Sequence, residues 1–227
     1  MSNLRERGFS SNMNGMNYKV PFVNYPLQYR NLEKEIDGAI KKVLSEGQLI
    51  LRDDVEQFEK KLAEFLGVKY AVGLNSGTDA LIFSLKAAGI GPGDEVITVS
   101  HTFWASIEAI VHAGAKPVLL EVREDFLINP GKIESAITNK TKAILPVHYN
   151  GRMCDMDTIM QIAQKHNLVV IEDAAQAMGA TYNNQKAGSF GIAGCLSFYP
   201  AKILGSVGDG GAVCTNDDQI AEKVRLL

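Results

Sequence analysis

From Tyr70 onward, short apolar runs alternate with stretches of helical periodicity, and this rhythm constrains the fold more tightly than any other feature of the chain. Tyr70–Leu74 precedes a helix over about Thr78 to Ala88, and Glu95–Val99 precedes a helix ending near His112. Pro117–Val122 follows, then Ala143–Val147 with a helix ending near His166, then Leu168–Glu172. Ile192–Phe198 and Gly211–Thr215 read as two further strands, and a last helix begins near Gln219. Strands this apolar are buried on both faces, and parallel neighbours need helical crossovers. The pattern predicts an α/β fold: a mostly parallel central sheet flanked by helices in three layers, α/β/α. Upstream, Leu32, Ile36, Ile40 and Val43 recur at helical spacing, and Val55, Phe58, Leu62, Phe65 and Leu66 form a second apolar stripe that ends at Gly67. Residues 1–18 are rich in Asn, Ser, Met and Gly without periodicity and read as a flexible leader, with residues 19–227 as the folded domain.

Composition removes several function classes. The 227 residues carry a net charge of −3 with both signs interspersed, so neither a nucleic-acid stripe nor a polybasic membrane block is expected. No apolar run approaches the ~20 residues that span a bilayer, and the N-terminus lacks the apolar core of a secretory signal, which predicts a cytoplasmic protein. Cys154, Cys195 and Cys214 are odd in number and far apart, so buried reduced thiols are expected rather than disulfides. His101, His112, His148 and His166 have no metal-ligand spacing with them, and no metal is expected.

In an open parallel sheet, ligands sit at the carboxyl ends of the strands, so the residues just after each strand are the informative ones. The segment Ser197-Phe198-Tyr199-Pro200-Ala201-Lys202, followed by Gly205, Gly208, Gly210 and Gly211, sets one lysine in a glycine-rich loop after an apolar strand. An amine kept from full hydration loses its proton near neutral pH and attacks a carbonyl, which is how a lysine holds pyridoxal phosphate (PLP) as a Schiff base; Lys202 is the candidate. After the first core strand, Asn75-Ser76-Gly77-Thr78-Asp79 combines a glycine for close backbone approach with a helix start whose N–H groups bind a phosphate, although plain helix capping explains the same letters. Phe103 and Trp104 end the second strand; one of them is free to stack on a heteroaromatic ring while the other packs in the core. Asp173 ends the Leu168–Glu172 strand, where a carboxylate keeps a pyridinium nitrogen protonated; a helix cap or a magnesium ligand are its other readings. Ser197 offers a further hydroxyl to a phosphate.

Taken in order and spacing, NSGTDAL, SHTFWAS, VVIEDAAQAMGA and LSFYPAKILGSVGDGGAV resemble the DegT/DnrJ-type nucleotide-sugar aminotransferases, a branch of the fold-type I PLP enzymes, over nearly everything after about Pro21. The resemblance implies the large domain of a fold-type I PLP transferase with PLP as cofactor. It implies that Lys202 forms the Schiff base and shuttles the proton, that Asp173 pairs with the ring nitrogen, and that Gln176 contacts the ring's 3-hydroxyl. Gly77, Thr78 and Ser197 fall at the phosphate positions, and Phe103 aligns with the ring-stacking position ahead of Trp104. The reaction implied is transfer of an amino group, typically from L-glutamate, to a nucleotide-linked keto sugar in polysaccharide or secondary-metabolite biosynthesis, with the 3-keto position favoured over the 4-keto. Some family members carry histidine at the lysine position and act as dehydratases; Lys202 favours the aminotransferase. Family members form homodimers and continue into a smaller C-terminal domain that this chain lacks, and the final helix ends without Gly, Pro or a polar tail, as in a fragment.

Three rivals remain open at this point. A non-catalytic PLP-fold fragment or regulator fits the missing C-terminal half. A PLP-dependent sugar dehydratase or an eliminase acting on a free amino acid is the second; the latter needs an arginine for the α-carboxylate, and Arg152, the arginine beside these motifs, reads as a solvated loop charge. A GTP- or NAD-binding protein is disfavoured because neither GxxxxGK[ST] nor GxGxxG occurs.

Overall fold

The computed structural model describes Val20 and residues 22–227, so the leader expected over residues 1–18 lies outside the described residues. Two compact units are distinguished, one up to Gly47 and one over Gln48–Leu227. The first contains α1 (Tyr25–Glu46). Asn24 caps it by accepting from the Leu27 N–H at 3.1 Å, and Gly47 closes it in the left-handed conformation at φ 71°. This helix has no buried residue, so the periodic Leu32, Ile36, Ile40 and Val43 form no core here.

The second unit begins with α2 (Asp53–Leu66), whose first turn carries Asp53, Asp54 and Glu56 against the positive end of the helix and which closes at Gly67, φ 74°. It is followed by β1 (Tyr70–Leu74), α3 (Gly77–Ala87), β2 (Glu95–Val99), α4 (Trp104–His112) and β3 (Lys116–Leu120). Then come α5 (Ile133–Ala136), β4 (Thr141–Ile144), α6 (Met156–His166) and β5 (Val169–Asp173). A small antiparallel hairpin, β6 (Thr181–Tyr182) and β7 (Gln185–Lys186), precedes β8 (Ala193–Ser197), β9 (Gly211–Thr215) and α7 (Asp218–Leu226).

Seven strands form one sheet in the order β1-β9-β8-β5-β4-β2-β3. Pairings are parallel from β8 to β3, while β9 runs antiparallel to both of its neighbours. The mostly parallel α/β sheet expected from the alternation is the sheet observed. Its central strands are apolar on both faces: every residue of β2 and of β9 is buried. Ile97, Ile144 and Ile171 from the sheet pack with Leu81, Leu85, Ile110 and Ile159 from the helices into one fully buried core. Because β9 is reversed, its leading loop joins the carboxyl ends of β1, β2, β4, β5 and β8 at one edge of the sheet.

Two local features depart from the sequence reading. The α2 stripe is only partly core: Leu62 and Leu66 are buried together with Ala63, whereas Val55, Phe58 and Phe65 are exposed. Glu59 takes a buried place on that helix because its carboxylate accepts from the Gly73 N–H at 2.7 Å and from the Arg225 guanidinium at 2.6 Å. The β6–β7 hairpin, unforeseen in the sequence, turns on Asn183 and Asn184, both left-handed at φ 49° and 64°, as a two-residue type I′ turn requires.

Candidate active site

A cavity of about 530 Å3 opens at the carboxyl edge of the sheet, within the second unit. Gly77, Thr78, Phe103, Asp173, Gln176, Ser197 and Lys202, the seven residues singled out from the sequence, all line it. They come from four strand ends and the loops beyond them, those of β1, β2, β5 and β8, so residues up to 125 positions apart converge by topology alone.

The first wall is the start of α3. Ser76 caps it, accepting from the Asp79 N–H at 3.0 Å and donating to the Asp79 carboxylate at 2.7 Å. That leaves the Gly77 and Thr78 N–H groups ahead of the intrahelical ladder, at the positive end of an eleven-residue helix. Glycine is needed for its close approach: a Cβ at Gly77 would lie 2.7 Å from the Ser197 Cβ, and one at Gly211 would lie 2.2 Å from the Ser76 carbonyl oxygen. The helix start, the end of β8 and the start of β9 are thus locked together, with the Ser197 hydroxyl beside Gly77.

The floor is Asp173 at the end of β5, 5% exposed. One carboxylate oxygen accepts from the Ser106 hydroxyl at 2.6 Å and the other from the Ala175 N–H at 3.2 Å. The Ser106 oxygen lies 2.7 Å from that of Thr102, another cavity residue. Ser106 spends its one proton on Asp173, so the Thr102 hydroxyl must donate to Ser106. Beneath Asp173, the fully buried Glu172 accepts from His148 Nε2 at 2.9 Å and from the N–H groups of Gly188, Phe190 and Gly191. The Cys154 N–H points at Nδ1 from 3.2 Å and occupies the place a second proton would need, so we assign the neutral imidazole with its proton on Nε2.

Lys202 lies half-buried on the loop after β8 and, among the described residues, makes no ion pair. Burial holds its ammonium below the ordinary lysine range, with the Asp173 carboxylate opposing that shift. Gln176 accepts from the Asn150 N–H at 3.0 Å through its side-chain oxygen, which leaves its amide N–H groups as donors toward the cavity. Phe103, 68% exposed at the start of α4, offers a ring to the cavity; Trp104 is outward, 63% exposed, and not part of the lining. Arg152 is exposed and donates to the Asp125 carbonyl, away from the lining. Sequence reading missed Ser106, Tyr199 and Asp209; the Ser106 hydroxyl, in the first turn of α4, meets that of Thr102, which lies just ahead of the helix.

This arrangement meets the demands of PLP. An amine with a lowered pKa suits the aldehyde, a buried carboxylate suits a pyridinium, and an N–H-rich helix start fitted against Ser197 suits a phosphate. The cavity falls within the ~300–1,000 Å3 of small-ligand sites.

Comparison with known proteins agrees. Residues 30–227 match the DegT/DnrJ/EryC1/StrS aminotransferase family. The chain is 47% identical over 209 residues to a pleiotropic regulatory protein of Geobacillus stearothermophilus, covering 92% of this chain and 56% of that protein. It is 46% identical over 210 residues to the dTDP-3-amino-3,4,6-trideoxy-alpha-D-glucose transaminase of Streptomyces venezuelae, covering 92% and 55%. The crystal structure of S. venezuelae DesV superposes with a TM-score of 0.89 at 46% identity, covering 93% of this chain and 57% of that one. NtdA of Bacillus subtilis, solved with bound cofactor PMP, superposes with a TM-score of 0.86 at 38% identity, covering 93% and 48%. The chain spans about half the length of the curated relatives it matches. It belongs to the DegT/DnrJ/EryC1/StrS aminotransferase family, whose cofactor is pyridoxal phosphate.

Proposed function

We propose that this chain is the cofactor-binding portion of an aminotransferase that moves an amino group from a donor, L-glutamate, to the 3-keto position of a nucleotide-linked sugar. The observation that carries this reading is the convergence in one cavity of a half-buried lysine with a lowered pKa and a buried, hydrogen-bonded carboxylate. When bound, PLP supplies an electron sink for the bond changes at the amino-bearing carbon. Lys202 Nζ anchors the cofactor and then takes and returns the proton at that carbon. Asp173 holds the proton on the ring nitrogen, and Gln176 donates to the ring hydroxyl. Gly77, Thr78 and Ser197 hold the phosphate, and Phe103 covers the ring face.

The 3-amino sugar named for the S. venezuelae relative supports the 3-keto position and a role in amino-sugar biosynthesis. We further propose a homodimer in the cytoplasm; the exposed Ile203, Leu204 and Val207 beside the lysine supply apolar surface for a partner. Among the described residues no helix is long and apolar enough to cross a membrane. The relative described as a pleiotropic regulatory protein supports a second reading, regulation without turnover. The two readings share the cofactor site and separate on amine transfer.

The test is the absorption spectrum of the purified chain with PLP, for the native chain and Lys202→Ala. A visible band in the native chain that Lys202→Ala lacks is the expected result; identical spectra would contradict the reading. Amine transfer from glutamate to a 3-keto nucleotide sugar, measured by mass spectrometry on the chain with its C-terminal region, then separates enzyme from regulator.

A further inference from the structure

We propose that Ser106 is a positioning residue for the cofactor, acting through Asp173 as the middle of an ordered hydroxyl chain, Thr102 to Ser106 to Asp173. The inference rests on the proposed PLP site and assigns a role to two side chains outside the cofactor contacts named above.

Ser106 is fully buried on the first turn of α4, and its hydroxyl lies 2.6 Å from the Asp173 carboxylate, 67 residues away in sequence. A serine hydroxyl has one proton, and at this distance the carboxylate takes it. The oxygen is then left as an acceptor, and the Thr102 hydroxyl at 2.7 Å fills that role. The direction of every proton in the chain follows from Asp173 being the acceptor at its end. With the Ala175 N–H on the other oxygen, Asp173 is held from two sides, which sets the plane of its carboxylate at a site 5% exposed. An Asp173 deprived of Ser106 is free to rotate out of that plane, so a ring nitrogen paired with it is held in poorer geometry and keeps its proton less tightly.

Thr102 makes the arrangement responsive. It sits at the cavity wall, half-buried, so a ligand that pulls on its hydroxyl competes with Ser106 and is felt at Asp173.

The test uses the full chain with 15N-labelled PLP, comparing the native chain with Ser106→Ala, Ser106→Thr and Thr102→Val. The readouts are PLP affinity and the pH profile of the ring-nitrogen 15N shift. Ser106→Ala is expected to weaken PLP by about tenfold, from loss of one charge-assisted hydrogen bond, and to move deprotonation of the ring nitrogen to lower pH. Ser106→Thr, which keeps the hydroxyl, restores the native profile, and Thr102→Val, at the rim, shifts it in the same direction by less. A Ser106→Ala chain whose melting temperature falls while the 15N profile stays native overturns the proposal, because a packing role alone would do that. A thermal-unfolding cycle of Ser106→Ala with Asp173→Asn, run without PLP, tests the pairing separately: non-additive effects are expected, and additive effects overturn it. If the native chain takes up no PLP, the proposed function fails, and this cycle alone decides whether the Ser106–Asp173 pairing stands.

Discussion

Replacing Gly77 by alanine separates the phosphate cradle from the rest of the site. The added Cβ would lie 2.7 Å from the Ser197 Cβ and 3.2 Å from both its Cα and its Oγ, closer than carbon atoms tolerate, and the Cα belongs to backbone that cannot swing aside. The start of α3 must therefore move away from the end of β8. Overpacking of this kind costs about 1–3 kcal/mol, while alanine in place of glycine in a helix regains up to about 1 kcal/mol. The net loss of about 0–3 kcal/mol lowers the melting temperature by at most about 12 °C for a chain of this size. Binding suffers more: separating the Ser197 hydroxyl from the α3 N–H groups removes at least one hydrogen bond to a phosphate, worth about 1.5–3 kcal/mol, or roughly 10- to 100-fold in affinity. The assay is equilibrium titration of Gly77→Ala and the native chain with PLP and with pyridoxal, which lacks the phosphate. The expected outcome is a large loss for PLP and little change for pyridoxal. An equal loss for both, or PLP binding within about twofold of native where more than tenfold is expected, would refute the assignment of the cradle.

Arg225→Ala should destabilise the second unit by about 1–3 kcal/mol in urea unfolding, because it leaves the buried Glu59 with only the Gly73 N–H. The three cysteines are buried, and burial pushes the Cys214 thiol up to about 12, so the native chain should resist thiol reagents until it unfolds and then label at all three. The lowered Lys202 pKa carries a sign for stability as well as for reactivity. Its burial penalises the native state most below the folded pKa, and the penalty fades as pH rises through that value toward the ordinary lysine range. In pH-dependent acylation with peptide mapping, Lys202 should therefore become reactive at lower pH than the exposed lysines; coincident profiles would count against its being a pre-activated amine.

Short-range physics made most of the fold legible. Apolar runs such as Glu95–Val99 and Gly211–Thr215 coincide with β2 and β9 because a strand buried on both faces has little freedom to be polar. Gly67 closes α2 where the letters place it, since the left-handed closure at φ 74° favours glycine. The lining residues were legible for the same topological reason: strand ends of a parallel sheet share one edge, so marking each strand's last residue marks the cavity. What the letters concealed is long-range pairing. Glu59 is buried because Arg225 reaches it across 166 positions, and no periodicity of α2 encodes that. Ser106 meets Asp173 across 67 positions, and Glu172 gathers three backbone N–H groups with His148 beneath the site. The α2 stripe misled because Val55, Phe58 and Phe65 are periodic yet exposed.

The most direct test of the account is the site of covalent attachment. The chain is incubated with PLP, reduced with borohydride, digested, and mapped by mass spectrometry for the phosphopyridoxyl group. The account predicts a single modified residue, Lys202, with Asp173→Asn weakening the attachment. Modification spread over the exposed lysines, with Lys202 no more labelled than the rest, would contradict it.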